Sequence, residues 1–290
     1  MATSQAVLSR PGESRQAPIE STLPARELDL SMLVGIFIAV GATIAGIAAT
    51  GVGLGYFLQP TGALIVLGGT IGVMFITTPR KALLNSTRRA VGLLWTPCID
   101  REALIDEVVS FAKATRRGGL LGIEPVIDQA TNGFLQDSLR LAVDVKNRSE
   151  LQLALETELR LRERQGETDA RTLEVAGGFA PTIGILGTVV GLIDVLKQFS
   201  NLQSVGSGIG TAFVSTIYGL ALANLILLPM AHRIRARVAE SFETQELVIE
   251  GVLCLFDGTH PSLIRERLNS FLREIPGRER AMSSGAGASR

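Results

Sequence analysis

The sequence predicts an all-α integral membrane protein with four transmembrane helices. A large helical cytoplasmic segment lies between spans two and three, and spans three and four extend into the cytoplasm. Three observations carry this expectation. The 290-residue chain is 46% hydrophobic, with a mean hydropathy of +0.31, which is too apolar for an ordinary soluble protein. The apolarity is segregated: no Asp, Glu, Lys or Arg occurs in residues 31–79 or 200–231, nor in the nineteen residues 175–193. The segments between these runs are dense in charge, and their apolar residues recur at helical spacing.

In chain order, residues 1–29 are polar and contain proline, with no apolar run near the start, and read as a flexible arm rather than a cleavable signal. Residues 30–78 form a hairpin of two spans, over about 33–51 and 63–78, joined by VGLGYFLQPTG. Tyr56, Phe57 and Pro60 suit that connector to an interfacial turn. Residues 79–172 read as a helical cytoplasmic segment. Within it, IDREALIDEVVSFAKATRR places Leu104, Val108 and Phe111 on one face. The charged stretch SELQLALETELRLRERQGETDARTLE runs directly into span three. Residues 173–231 hold spans three and four, joined by KQFSNLQSVGS. Amphipathic helices continue over 232–275, and a Gly/Ser-rich tail, expected to be disordered, fills 276–290.

Cations set the orientation. The two short hairpin connectors together hold only Lys197. Arg80, Lys81, Arg88 and Arg89 follow span two, Arg233, Arg235 and Arg237 follow span four, and Arg26 precedes span one. Both termini and the middle segment are therefore expected on the cytoplasmic side.

The inventory also excludes chemistry. A formal net charge of zero gives no reason to expect a nucleic-acid partner. Cys98 and Cys254 lie far apart with no CxxC spacing and read as unpaired thiols. His232 and His260 lack metal-ligand spacing. No phosphate-binding GxxxxGK[ST] loop, HExxH pair or Ser/His/Asp set is present, so neither an enzyme nor a cofactor or metal is expected.

The span AGGFAPTIGILGTVVGLIDVLK is unusual for a helix that merely crosses a bilayer. Pro181 removes a backbone donor and crowds the carbonyl of Gly177. Pro181, Gly184, Thr188 and Gly191 share one face by their spacing, and Gly208, Ala212, Ser215, Gly219 and Ala223 form a stripe of small residues on span four. Tight helix packing explains the stripe and Gly187/Gly191. A partly hydrated path, in which a freed carbonyl and a hydroxyl replace hydration water, explains Pro181 and Thr188 as well. Both readings stay open at this point. No span carries a midplane carboxylate, since Asp194 lies near the outer end of span three. A cation crossing here would need its carboxylate from another chain.

The blocks YFLQPTGALIVLGGTIG, ATRRGGLLGIE, AGGFAPTIGILGTVVGLIDVLK and AFVSTIYGLALANLILLPMAHRIR resemble, in order and spacing, the A subunit family of the flagellar motor stator (MotA/PomA). That family sits within the MotA/TolQ/ExbB proton-channel superfamily. The likeness runs from about residue 30 to 271. It implies a homopentamer in the bacterial inner membrane around two B subunits (MotB/PomB-like), which supply the ion-carrying Asp, and a cytoplasmic contact with the rotor protein FliG. Pro181, Thr188, Thr216 and Pro229 carry over as ion-path residues, and Arg116, Arg117 and Glu124 as rotor contacts. The transported ion is H+ or Na+, and the Thr188/Thr216 pair favours sodium by its likeness to sodium-type stators. An ExbB/TolQ-like energiser of envelope transport is the alternative. Those proteins have one span before the large segment, and here two are expected. A non-conducting membrane scaffold is the third reading. A current that appears only with a B partner would separate the channels from the scaffold.

Overall fold

Long helices dominate because a charge-free segment in hydrocarbon must satisfy its own N–H and C=O groups. The structure is a computed structural model that describes residues 26–28, 30–51, 53–93, 95–97, 100–197 and 202–274. Helix α1 (Leu30–Ala49) leads through a 3₁₀ turn, Leu54–Phe57, into α2 (Pro60–Thr77), whose first turn takes Pro60 where a missing N–H breaks no helical bond. Helices α3 (Arg80–Gly92) and α4 (Arg101–Gly118) follow, then a 3₁₀ segment, Leu120–Gln129, and α5 (Gly133–Asp144). Helix α6 (Arg148–Lys197) runs unbroken for 50 residues. Helix α7 (Leu202–Ala221) passes through a π-helical turn, Leu222–Leu227, into α8 (Leu228–Phe256), and α9 (Pro261–Glu274) ends the described chain.

Among the described residues, three helical stretches are long and apolar enough to cross a membrane: Pro60–Thr77, part of Arg148–Lys197, and part of Gly208–Phe256. The apolar part of α1, Val34–Ala49, is shorter. Both α6 and the α7–α8 rod extend well beyond their apolar stretches into charged sequence.

Local signals fix the helix ends. The Asp100 carboxylate accepts hydrogen bonds from the N–H groups of Glu102 and Ala103 at 2.9 and 3.3 Å and starts α4. Gly119, at φ 72°, stops it in a conformation that favours glycine. The Asn132 side chain caps α5 in the same way as Asp100, through the N–H groups of Phe134 and Leu135. The predicted face of α4 is real: Leu104, Val108 and Phe111 are 4%, 0% and 6% exposed. They join a core built from α4, α5, the first turns of α6, the end of α8 and α9.

Two three-residue strands depart from the helical expectation. Arg26–Leu28, read from sequence as the end of a flexible arm, pairs antiparallel with Trp95–Pro97. The physical reason is proximity. The chain entering α1 and the chain leaving α3 are both extended, so each supplies the other's backbone partners. Cys98 lies outside the described residues, whereas Cys254 is buried with a free thiol.

A second core joins α3, α6 and α8 through Ala90, Leu93, Ala170, Leu173, Ala231, Ile234 and Val238. Asp169 lies beside it, with a side chain 0% exposed. Its carboxylate faces Arg89 Nε at 2.7 Å as an ion pair, but neither oxygen has an aligned hydrogen bond. Ser86 also ties α3 to α6, donating to the Asp169 carbonyl at 2.8 Å. Burial raises the Asp169 carboxyl above the ordinary carboxylate range, and Arg89 offsets only part of that rise. The fold thus favours the protonated acid. Its contribution is complete below the ordinary carboxylate pKa and is lost as pH climbs through the raised value. Between about pH 4 and about pH 7, the melting temperature in detergent should therefore fall more in the natural chain than in Asp169→Asn. Parallel curves would show that Asp169 does not titrate in the fold.

Candidate functional site at the crossing of α6 and α7

Helix α6 meets α7 through positions that lack side chains. A Cβ on Gly219 would lie 2.6 Å from the Ala180 carbonyl oxygen, and one on Gly184 would lie 3.0 Å from the Ser215 carbonyl oxygen. At Gly191 it would sit 2.8 Å from the Ala212 nitrogen, and at Gly187 2.7 Å from Ser215 Cβ. These contacts are with backbone or with short side chains, so a larger residue cannot swing clear. The α2 helix closes against the same place, where a Cβ on Gly62 would meet Ser215 Oγ at 2.6 Å. Above it, the Tyr218 hydroxyl donates to the Phe57 carbonyl and accepts from the Gln59 N–H at 3.2 Å, fastening the α1–α2 connector to α7.

This close approach creates a cluster of oxygens. The hydroxyls of Thr188 and Thr216 lie 2.5 Å apart across the crossing. Thr188 Oγ1 also lies 3.2 Å from the Gly184 carbonyl oxygen and 3.1 Å from that of Ala212. Two hydroxyls bring two protons to a group of four oxygens, so lone pairs are in surplus. Such a group can offer oxygens to a cation in place of hydration water.

Four residues named from sequence thus fall on three helices in different relations. Thr188 and Thr216 touch. Pro181 is half-buried on α6, seven residues before Thr188, inside a helix that continues through it. Pro229 is exposed at the start of α8, just past the π-helical turn.

The sequence reading missed Asn224, in the π-turn. It is exposed, and its amide donates to the Leu220 carbonyl at 2.9 Å. The Leu228 N–H bonds to Ala223, five residues back, and Pro229 has no N–H. The Asn224 carbonyl therefore loses both its i+4 and its i+5 donors. An inventory of ionisable groups passes over such a residue. A search for any amide within an apolar run would have found it.

The charged positions named from sequence lie on other elements. Arg116 and Arg117 are exposed in the last turn of α4, and Glu124 is exposed in the 3₁₀ segment that follows. The two arginines line a groove of about 720 Å3 with Lys113, His260, Ser262 and Arg265. Glu124 is not among its lining residues. Arg265 was not anticipated, because α9 meets α4 only in the folded chain.

Residues 126–246 match the MotA/TolQ/ExbB proton channel family. The chain is also 30% identical over 254 residues to Motility protein A of Bacillus subtilis (strain 168), covering 87% of this chain and 93% of that protein. The chain belongs to the MotA/TolQ/ExbB proton channel family. It is 28% identical to Chemotaxis protein PomA of Vibrio alginolyticus, over 85% of this chain and 96% of PomA. Among solved structures, C. jejuni MotAB is similar with a TM-score of 0.77 at 25% identity, covering 87% of this chain and 98% of the matched one. The flagellar MotAB stator complex from Bacillus subtilis is similar with a TM-score of 0.75 at 29% identity, over 86% and 97%. The segment that matches the family takes in Pro181, Thr188, Thr216 and Pro229 but not Arg116, Arg117 or Glu124.

If the missing side chains set the crossing, Gly219→Val should be strongly destabilising, by about 1–3 kcal/mol for an overpacked helix contact. Gly178→Ala should be neutral or slightly stabilising, because a Cβ there meets nothing within 4 Å and alanine is the better helix former. Thermal melts of the two variants in detergent check this, and equal melting temperatures would refute it.

Proposed function

We propose that this chain is the ion-conducting A subunit of a flagellar motor stator, coupling ion flow to torque on the rotor. The single observation that carries the reading is the oxygen cluster at Thr188 and Thr216. It is held at a glycine-lined crossing of helices apolar enough to span a membrane. The family, and the MotAB stator complexes among its structural relatives, support it.

In this reading α1, α2, the apolar stretch of α6 and the α7–α8 rod are four spans of the bacterial inner membrane, with both termini cytoplasmic. A B-type subunit supplies the carboxylate that no span of this chain holds at mid-depth, and a homopentamer of this chain surrounds it. Pro181 and Pro229 interrupt the helical hydrogen-bond ladder on either side of the path. Thr188 and Thr216 offer the oxygens, which suits sodium as the coupling ion, since a proton can move through water alone. Arg116, Arg117 and Glu124 face the rotor protein FliG. Exposed charges suit a contact that must form and break at every step, because single exposed pairs contribute only about 0.2–1 kcal/mol.

Purified into liposomes alone, the chain should carry no ion current, and co-reconstitution with its B partner should produce one. A steady current without the B partner would overturn the proposal. Replacing external sodium by potassium should stop rotation, and unchanged swimming would assign the proton instead. At the rotor surface, neutralising Arg116 or Glu124 singly should weaken rotation, and reversing both should damage it severely with ion flux retained. Loss of conductance in Glu124→Lys with rotor binding intact would remove Glu124 from the rotor contact.

A further inference from the structure

The α6 face that carries Thr188 and Pro181 does not end with the apolar stretch. Counting back by sevens from Thr188 gives Pro181, Glu174 and Glu167, and all four side chains are half-buried. Seven residues are nearly two turns, so these positions form one slowly drifting column. Below Pro181 the column is tied to the neighbouring helix by a single guanidinium. Arg235 on α8 grips Glu174 with two parallel bonds, Nη1 to Oε1 at 2.8 Å and Nη2 to Oε2 at 3.0 Å. Its Nε reaches Glu167 Oε2 at 3.1 Å. A guanidinium engaged through three nitrogens is fixed in direction as well as distance.

The tie sits below a weakened part of the α7–α8 rod. Between Thr216 and Arg235 come the π-turn, the Asn224 carbonyl without its i+4 and i+5 donors, and Pro229. Each removes a backbone constraint, so helix continuity alone does not fix how α8 is aimed relative to α7. Packing holds the upper part, where Ser215, Gly219 and Ala212 meet α6. Below the turn α8 packs in the second core, and Gly177 accommodates Leu228 and Gly166 accommodates Val238 through apolar contacts, which are non-directional. The Arg235 fork lies between these two contacts.

We propose that Arg235, with Glu174 and Glu167, is a positioning latch that holds α8 against the ion-path face of α6 and so sets the spacing of the Thr188 and Thr216 oxygens above it. The inference rests on the ion-path reading of that face. Arg235, Glu174 and Glu167 do not themselves touch the ion. Half-exposed ion pairs contribute little to stability, so the effect of the latch is on geometry, and it is read in ion affinity rather than in the amount of folded complex.

The test uses the full complex with its B partner in proteoliposomes, measuring current against the concentration of the coupling cation. Wild type is measured first. Arg235→Gln should raise the half-saturating cation concentration by about threefold or more, while maximal current per complex falls less than about twofold. Arg235→Lys, which keeps the charge but not the fork, should fall between the two. Exchanging the partners, Glu174→Arg together with Arg235→Glu, should recover at least about half of the lost affinity. An unchanged half-saturating concentration in Arg235→Gln would overturn the latch. So would a loss of current that merely tracks the amount of complex in the membrane. An exchanged pair as defective as the single variants would mean that Glu174 meets the ion directly, which also contradicts the proposal. A wild-type complex without current would instead remove the ion-path reading, and the latch with it.

Discussion

Everything that suggests conduction depends on how closely α6 and α7 approach. Helices with ordinary side chains stand about 8–10 Å apart at their axes. Here the contact is made by Gly184, Gly187 and Gly191 on one side and by Ala212, Ser215 and Gly219 on the other, with backbone atoms or the short Ser215 side chain as the nearest neighbours. Short hydroxyls can bridge only because nothing larger intervenes. Thr188 and Thr216 meet at 2.5 Å as a consequence of those absences. The glycines lower helix propensity, but in a span with no water available the helix forms regardless, and close packing replaces what propensity loses.

The same helices join the crossing to the charged end of the molecule. At 1.5 Å per residue, the 50 residues of α6 reach about 75 Å. Its first turns contribute Leu151, Leu155 and Leu159 to the core with α4, α5 and α9, and its later turns form the crossing. The α7–α8 rod spans the same two regions, with Leu247, Val252 and Leu255 in that core. A displacement at the α4 surface therefore has two helical routes to the oxygens. One is unbroken apart from the missing donor at Pro181, and the other passes through a π-turn. Arg235 ties the two together.

Much of the fold was legible because it follows from periodicity and charge. The runs without charge became the apolar helices, and the spacing of Leu104, Val108 and Phe111 marked the buried face of α4. The site was legible only in part. Spacing put Pro181 and Thr188 on one face, but it could not pair Thr188 with Thr216, which lie 28 residues apart. That pairing came from the family likeness. The π-turn was invisible because its cause is a register shift in the rod and not a residue type. Arg235 was read from sequence only as a cation that sets orientation, since its partners Glu174 and Glu167 lie 61 and 68 residues away. The Arg265 side of the α4 groove escaped for the same reason, as did the strand pair at Arg26–Leu28. Contacts between distant segments are decided by packing, which local pattern does not contain.

The central claim is that the hydroxyls at the crossing, and not merely its shape, serve the ion. Valine matches threonine in volume but has no hydroxyl, and serine keeps the hydroxyl. The direct measurement is the ion current of the reconstituted complex carrying Thr188→Val and Thr216→Val, compared with Thr188→Ser and Thr216→Ser, at equal amounts in the membrane. The account predicts a loss of at least about tenfold in current for the valine pair and retention within a few-fold for the serine pair. Valine variants that conduct as well as the natural complex would contradict it.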